Sequence, residues 1–199
     1  MLSSKAKLSV VIILTVISMY LIYMLWNIQQ RLPIIEQVDD IHFESVLNED
    51  YTFQNEHLKV VAFIYTKCPD ICPMTMYDLT FLQAKLKDEQ IFGDRVQIVT
   101  ITLDPEFDTA DTLRKYASNF AIDSSGWFIL RDSESETKIV ANQFQMNYKK
   151  DENGFVTHST KLYLVDAENK IRSVHDMNVA GKEVNLEEIM ENIERLLDE

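Results

Sequence analysis

Six apolar residues in unbroken succession, Val60-Val61-Ala62-Phe63-Ile64-Tyr65, follow Lys59 and run straight into Thr66-Lys67-Cys68-Pro69-Asp70-Ile71-Cys72-Pro73. The run is too short for an independent helix and shows no polar alternation. It predicts a strand covered on both faces, as at the centre of an α/β sheet. The two cysteines then lie at that strand's carboxyl end, where open α/β sheets gather ligands and chemistry.

The rest of the chain supplies the partners such a strand needs. Residues 73–87 predict a helix with Met76, Leu79, Leu82 and Leu86 inward. Pro73 disfavours a helical Cys72 and suits the first helical position, so Cys72 is expected as the cap. Residues 96–103 predict a second strand ending in Asp104-Pro105. Asp108 is expected to cap a helix whose Leu113, Tyr116, Ala117 and Phe120 recur at i, i+3, i+4 and i+7. Ser133 with Glu136 reads as a capping box for a helix reaching about residue 146. Asp151-Glu152-Asn153-Gly154 is a turn signal. Residues 161–165 and 170–175 flank a four-residue turn as an antiparallel hairpin. Asn185 with Glu188 caps a last helix striped by Leu186, Ile189, Met190, Ile193, Leu196 and Leu197. The order β-α-β-α, an inserted helical segment, then β-β-α predicts an α/β, thioredoxin-like fold over residues 41–199.

Ahead of it, residues 8–26 hold no charged side chain. Nineteen residues at 1.5 Å each make about 28 Å of helix, enough to cross a hydrocarbon core of about 30 Å. Lys5 and Lys7 precede this run, and Tyr20, Tyr23 and Trp26 cluster toward its far end. Positive-inside logic keeps residues 1–7 cytoplasmic and sends the rest outside, weakly opposed by Arg31. A cleaved signal peptide would carry a shorter apolar region and a small-residue site, whereas W-N-I-Q-Q-R follows here. The expectation is one retained transmembrane helix, a tether over 27–40, and a domain on the extracytoplasmic side of a bacterial cell membrane. No cysteine stands directly after the run, which removes bacterial lipidation as the anchoring route. Of the formal charge of -13, residues 27–199 carry 17 basic and 32 acidic side chains, net -15. That excess disfavours nucleic acid and holds the domain off anionic lipid.

With only two cysteines, Cys68 and Cys72, a disulfide scaffold is excluded. A bridge between them would close a tiny loop worth about 2 kcal/mol on chain-entropy grounds. A domain this apolar has little need of it, so a working pair is the better reading. C-x-x-C would suggest a thiol–disulfide exchanger; C-x-x-x-C lets both sulfurs face one ion. Two soft thiolates select Cu(I) or Zn(II) over hard cations and do not choose between them. A thiol at a helix N-terminus also loses its proton more easily, which predicts an acidic Cys72.

Y-T-K-C-P-D-I-C-P-M-T, T-L-D-P-E-F-D-T and T-H-S-T-K-L-Y-L-V-D together resemble the three signature blocks of the Sco/SenC family, over about residues 41–197. The resemblance implies a membrane-anchored copper chaperone of thioredoxin fold that assists cytochrome c oxidase assembly. It implies Cys68, Cys72 and His158 as ligands for Cu(I) or Cu(II), and Asp104 beside the site. The implied partners are the CuA domain of oxidase subunit II and a thiol reductant or another copper chaperone. The alternative is a thiol–disulfide reductase of the oxidase cysteines, with Cys68 attacking and Cys72 resolving. A peroxidase is disfavoured, because Thr66-Lys67-Cys68 lacks the peroxiredoxin spacing. The segment 43–57 lacks the glycine usual in the family's opening hairpin, which puts the early strands in question. His175, Met177 and Met74 are further soft donors in the sequence, with packing roles as their ordinary use; Met76 is expected in the core.

Overall fold

The computed structural model describes residues 4–47, 51–152 and 154–199. In chain order the elements are α1 (Ser4–Gln30), β1 (Glu36–Gln37), β2 (His42–Ser45), β3 (Tyr51–Thr52), β4 (Leu58–Ile64), α2 (Ile71–Asp88), β5 (Val96–Thr102), α3 (Ala110–Ala117), β6 (Trp127–Arg131), α4 (Glu134–Gln143), β7 (Tyr148–Lys150), β8 (Val156–His158), β9 (Lys161–Val165), β10 (Lys170–Asp176) and α5 (Leu186–Leu197). Eight strands form one sheet in the order β1-β10-β9-β4-β5-β6-β2-β3, while β7 and β8 make a separate two-stranded sheet. β4, β5 and β6 are parallel; β9 lies antiparallel to β4, and β10 antiparallel to β9.

Every residue of β4 is buried, as an apolar run without alternation requires. Met76, Leu79, Leu82 and Leu86 of α2 are fully buried. Phe63 meets Phe144, just beyond α4, edge-on at 5.2 Å, and Phe144 meets Tyr163 at 5.0 Å. The exception in composition is Lys59, a buried cation within β4. Its ammonium donates to the carbonyls of His57 (2.9 Å) and Asn55 (3.3 Å) and to Asn169 Oδ1 (3.0 Å), and lies 4.9 Å from the Phe53 ring. Burial pulls its pKa down to about 8, against the charges of Asp166 and Asp40.

Several local expectations are corrected. α2 begins at Ile71, so Cys72 lies in its first turn and Asp70 occupies the cap position. Thr109, not Asp108, caps α3, its hydroxyl accepting from the Thr112 amide; the Asp108 carboxylate is engaged elsewhere. Half of the capping box at Ser133 forms: its hydroxyl accepts the Glu136 amide, but the Ser133 amide turns to Asp132 Oδ1 at 2.5 Å. α4 ends at Gln143 rather than near residue 146. The inserted segment also holds strand β6, which adds to the parallel set. Despite lacking a glycine, the early segment forms β2 and β3, paired antiparallel.

The segment expected as a tether is attached to the sheet along part of its length. The Ile35 amide donates to the Ile171 carbonyl, β1 pairs with β10, and Val38 is buried. Arg172, beside a bulge in β10, donates to the carbonyls of Leu32 (2.7 Å) and Pro33 (3.2 Å). Met1–Ser3, Asn153 and the side chains of Lys5, Lys7 and Trp26 lie outside the described residues. Among the described residues, no helix is long and apolar enough to cross a membrane. The described side chains of α1 over residues 12–24 are all exposed.

Candidate metal centre

The carboxyl ends of β4 and β5 frame the cysteine loop. Asp108, fully buried, accepts the Thr66 amide at 3.1 Å, the Thr66 hydroxyl, and the Thr102 hydroxyl at 2.5 Å. These bonds fix the chain as it leaves β4. The Cys68 amide then donates back to the Tyr65 carbonyl at 3.2 Å, closing a turn ahead of α2. The Cys72 amide, in the first turn of α2, donates to Cys68 Sγ at 3.3 Å. A sulfur thus takes the place of a capping oxygen, and the positive end of the helix acts on Cys68.

That arrangement reverses the expected acidity. The pKa of Cys68 is pulled down to about 5, chiefly by a hydrogen bond from the Cys72 thiol, with the amides of Cys72 and Asp70 and the Tyr65 hydroxyl adding to it against burial. The pKa of Cys72 is raised, first by its bond to Cys68, then by burial and the Cys68 charge. Cys68 is half-buried and Cys72 fully buried. The outer sulfur is therefore the thiolate and the inner one the thiol.

His158 is the last residue of β8. Its Nδ1 lies 2.9 Å from the Ser159 carbonyl, which can only accept, so Nδ1 carries the proton. Nε2 is left with its lone pair 3.9 Å from Cys72 Sγ. The ring stands edge-on to Tyr65 at 6.1 Å, and burial lowers its pKa, favouring the neutral form that metals bind. The Tyr116 hydroxyl is buried without a hydrogen-bond partner among the described residues, and its pKa is raised chiefly by burial. Asp104 is buried, with Oδ1 2.7 Å from Lys150 Nζ.

Two sulfurs and one imidazole are a soft donor set suited to copper. One ion bonded at about 2.0–2.3 Å to nitrogen and sulfur can bridge the separation between Cys72 and His158. Among the described residues, no group of three or more His, Cys, Asp or Glu is already arranged to hold a metal ion. His175 is buried and turned to the Ser173 hydroxyl at 2.9 Å, Met177 is buried, and Met74 is exposed. Sequence reasoning missed Asp108, Tyr65, Tyr116 and Lys150 as parts of the site. Only the strand-end position of Tyr65 and the D-T pair at Asp108 offered a signal.

A family model described as SCO1/SenC matches residues 40–198. The chain belongs to this family. The SCO1 protein homolog of Bacillus subtilis is 35% identical over 148 residues, covering 67% of this chain and 74% of that protein. Across three curated relatives the chain spans 62–74% of their length. Among solved structures, BsSco is described as a member of the Sco family of cytochrome c oxidase assembly proteins with a disulfide switch. It superposes with a TM-score of 0.72 at 26% identity, over 83% of this chain and 97% of that one. Arabidopsis thaliana ScoI, solved with copper bound, gives a TM-score of 0.66 at 23% identity, over 81% and 99%. The SCO1/SenC member described here thus has the expected thioredoxin-like α/β fold.

Proposed function

We propose that this SCO1/SenC protein binds copper through Cys68, Cys72 and His158 and delivers it to the CuA site of cytochrome c oxidase subunit II. The observation that carries the reading is the imidazole of His158, tied at Nδ1 and presenting Nε2 to the Cys72 sulfur at 3.9 Å. Thiol exchange has no use for such a ring, and copper retention does. The BsSco and ScoI relatives, with oxidase assembly and bound copper in their descriptions, support the same assignment. Cys68 offers a ready thiolate, Cys72 a thiol that gives up its proton on binding, and His158 a neutral imidazole. Transfer proceeds by ligand exchange, recipient cysteines and histidines replacing these donors one at a time. A Cys68–Cys72 disulfide removes both sulfur donors, so the oxidised chain should take up no copper. Copper affinity unchanged by oxidation would place the ligands elsewhere.

The same reading has residues 8–26 anchor the chain in the membrane with the domain outside. The support is the uncharged run itself and the exposed apolar side chains of α1, such as Ile12, Ile13, Leu14 and Ile17. Protease added to intact cells or spheroplasts should remove the domain, and a protected domain would refute this orientation.

A second reading, thiol–disulfide reduction of the recipient's cysteines, is favoured by the unequal acidity of the pair. The Cys68 thiolate attacks a recipient disulfide and releases one recipient thiolate. Cys72 then resolves the mixed disulfide and releases the second. The recipient gains two electrons, and this chain gives them up as its two thiols become the Cys68–Cys72 disulfide.

A further inference from the structure

We propose that Lys150 is a positioning residue for His158, acting through its ion pair with the buried carboxylate of Asp104. The proposal rests on the copper reading above for its functional meaning. His158 is carried by the β7–β8 hairpin, which lies outside the eight-stranded sheet. In its register Tyr148 faces His158 and Lys150 faces Val156. A hairpin of three residues a side is marginal on its own, so contacts to the rest of the domain set where it sits. Val156 is buried, and Phe155 packs edge-on against Tyr65 at 6.0 Å. Among its polar contacts is that of Lys150, whose Nζ reaches Asp104 Oδ1 at 2.7 Å and Glu106 Oε2 at 2.9 Å.

Asp104 gives that contact its force. Its side chain is 1% exposed, and Oδ2 has no hydrogen-bond partner among the described residues. Moving the hairpin away strips a buried carboxylate of its cation, an unfavourable state. Asp104 is also anchored, its amide donating to the Thr102 hydroxyl and its carbonyl accepting the amides of Phe107 and Asp108. Asp108 in turn holds Thr66 at the cysteine loop. One chain of contacts therefore runs from the carboxyl end of β5 to both halves of the site: through Asp108 to the cysteines, and through Lys150 to the histidine. The ion pair sets the imidazole's distance from the sulfurs.

Lys150→Met alone strands the Asp104 charge and invites misfolding, so the informative variant is Asp104→Asn combined with Lys150→Met, which removes both charges. In the purified full chain, amide hydrogen exchange over residues 148–158 should quicken by about tenfold while β4 and β5 keep their protection. Titrated with Cu(II) alone, the reduced double variant should bind about tenfold more weakly, the lower end of what loss of a ligand's supporting contacts costs. Cu(I), held by the two thiolates, should change by less than about twofold. Lys150→Arg, which keeps the cation, should behave as wild type. Unchanged exchange and Cu(II) binding in the double variant would overturn the proposal, as would exchange that quickens equally in β4 and β5. Should the wild type take up copper in neither oxidation state, the functional reading falls, and the exchange result still decides the role of Lys150.

Discussion

Cys68 and Cys72 stand four residues apart and hold their protons oppositely, because the helix begins between them. The amide of Cys72 donates to the Cys68 sulfur, and the neighbouring Cys72 thiol further favours the Cys68 thiolate. The spacing and its strand-end position were legible in the sequence. The acidity was not, since a two-residue error in the start of α2 exchanges which sulfur meets the helix N-terminus. His158 was singled out through the resemblance to the family block, not from its own surroundings, and the fold brings its ring to 3.9 Å from Cys72 Sγ. Asp108 and Lys150 act through tertiary contacts that no local pattern encodes. In the reduced chain, alkylation of Cys68 should rise through a midpoint near pH 5, because the thiolate is the nucleophile. Cys72→Ala removes the strongest donor and should move that midpoint upward. A wild-type midpoint near the ordinary value of about 8.5 would contradict the geometry.

At the scale of elements, long periodic or wholly apolar segments were legible: β4, α2, β5, the β9–β10 hairpin and α5. β6 was not, because its five residues follow Gly126 without alternation and their parallel pairing with β5 is non-local. β7 reads Tyr148-Lys149-Lys150, too polar to announce a strand, and only pairing with β8 makes it one. Within β4, the conflict of a lysine in an apolar strand yields a stability test. Burial lowers the folded pKa of Lys59 to about 8, while the unfolded chain titrates near the ordinary lysine value of about 10.4. Between those values the unfolded state binds the extra proton, so stability gains on the order of 3 kcal/mol as pH rises through the window. The gain is lost as pH falls through about 8. Lys59→Met should flatten the slope of Tm against pH between 8 and 10 relative to wild type. Equal slopes in the two proteins would show that Lys59 keeps its proton when folded.

In the molecule as a whole, the sheet separates two tasks by its two ends. Glu36 pairs with Ile171, and through β9 that register aligns with Lys59 at the start of β4. Arg172 grips Leu32 and Pro33 at this end, joined by Glu199 and Asp166 at 2.7 and 2.9 Å. The cysteine loop leaves the other end, about 20 Å away along the seven residues of β4. The cysteine loop thus lies at the opposite end of β4 from the docked residues 32–38. Charge and the apolar N-terminal run were legible as composition; the docking of residues 32–38 was not, because it depends on a bulge in β10 and on arginine contacts distant in sequence. Whether Cys68, Cys72 and His158 form one copper site is tested directly by anaerobic copper titration of the reduced chain beside His158→Ala. Wild type should bind one copper and, as Cu(II), show thiolate-to-metal absorption. The variant should keep most of its Cu(I) affinity, since two thiolates suffice for that soft ion, and lose stable Cu(II) binding and its absorption. A variant that binds Cu(II) as wild type does would remove His158 from the site and leave thiol–disulfide exchange as the better account.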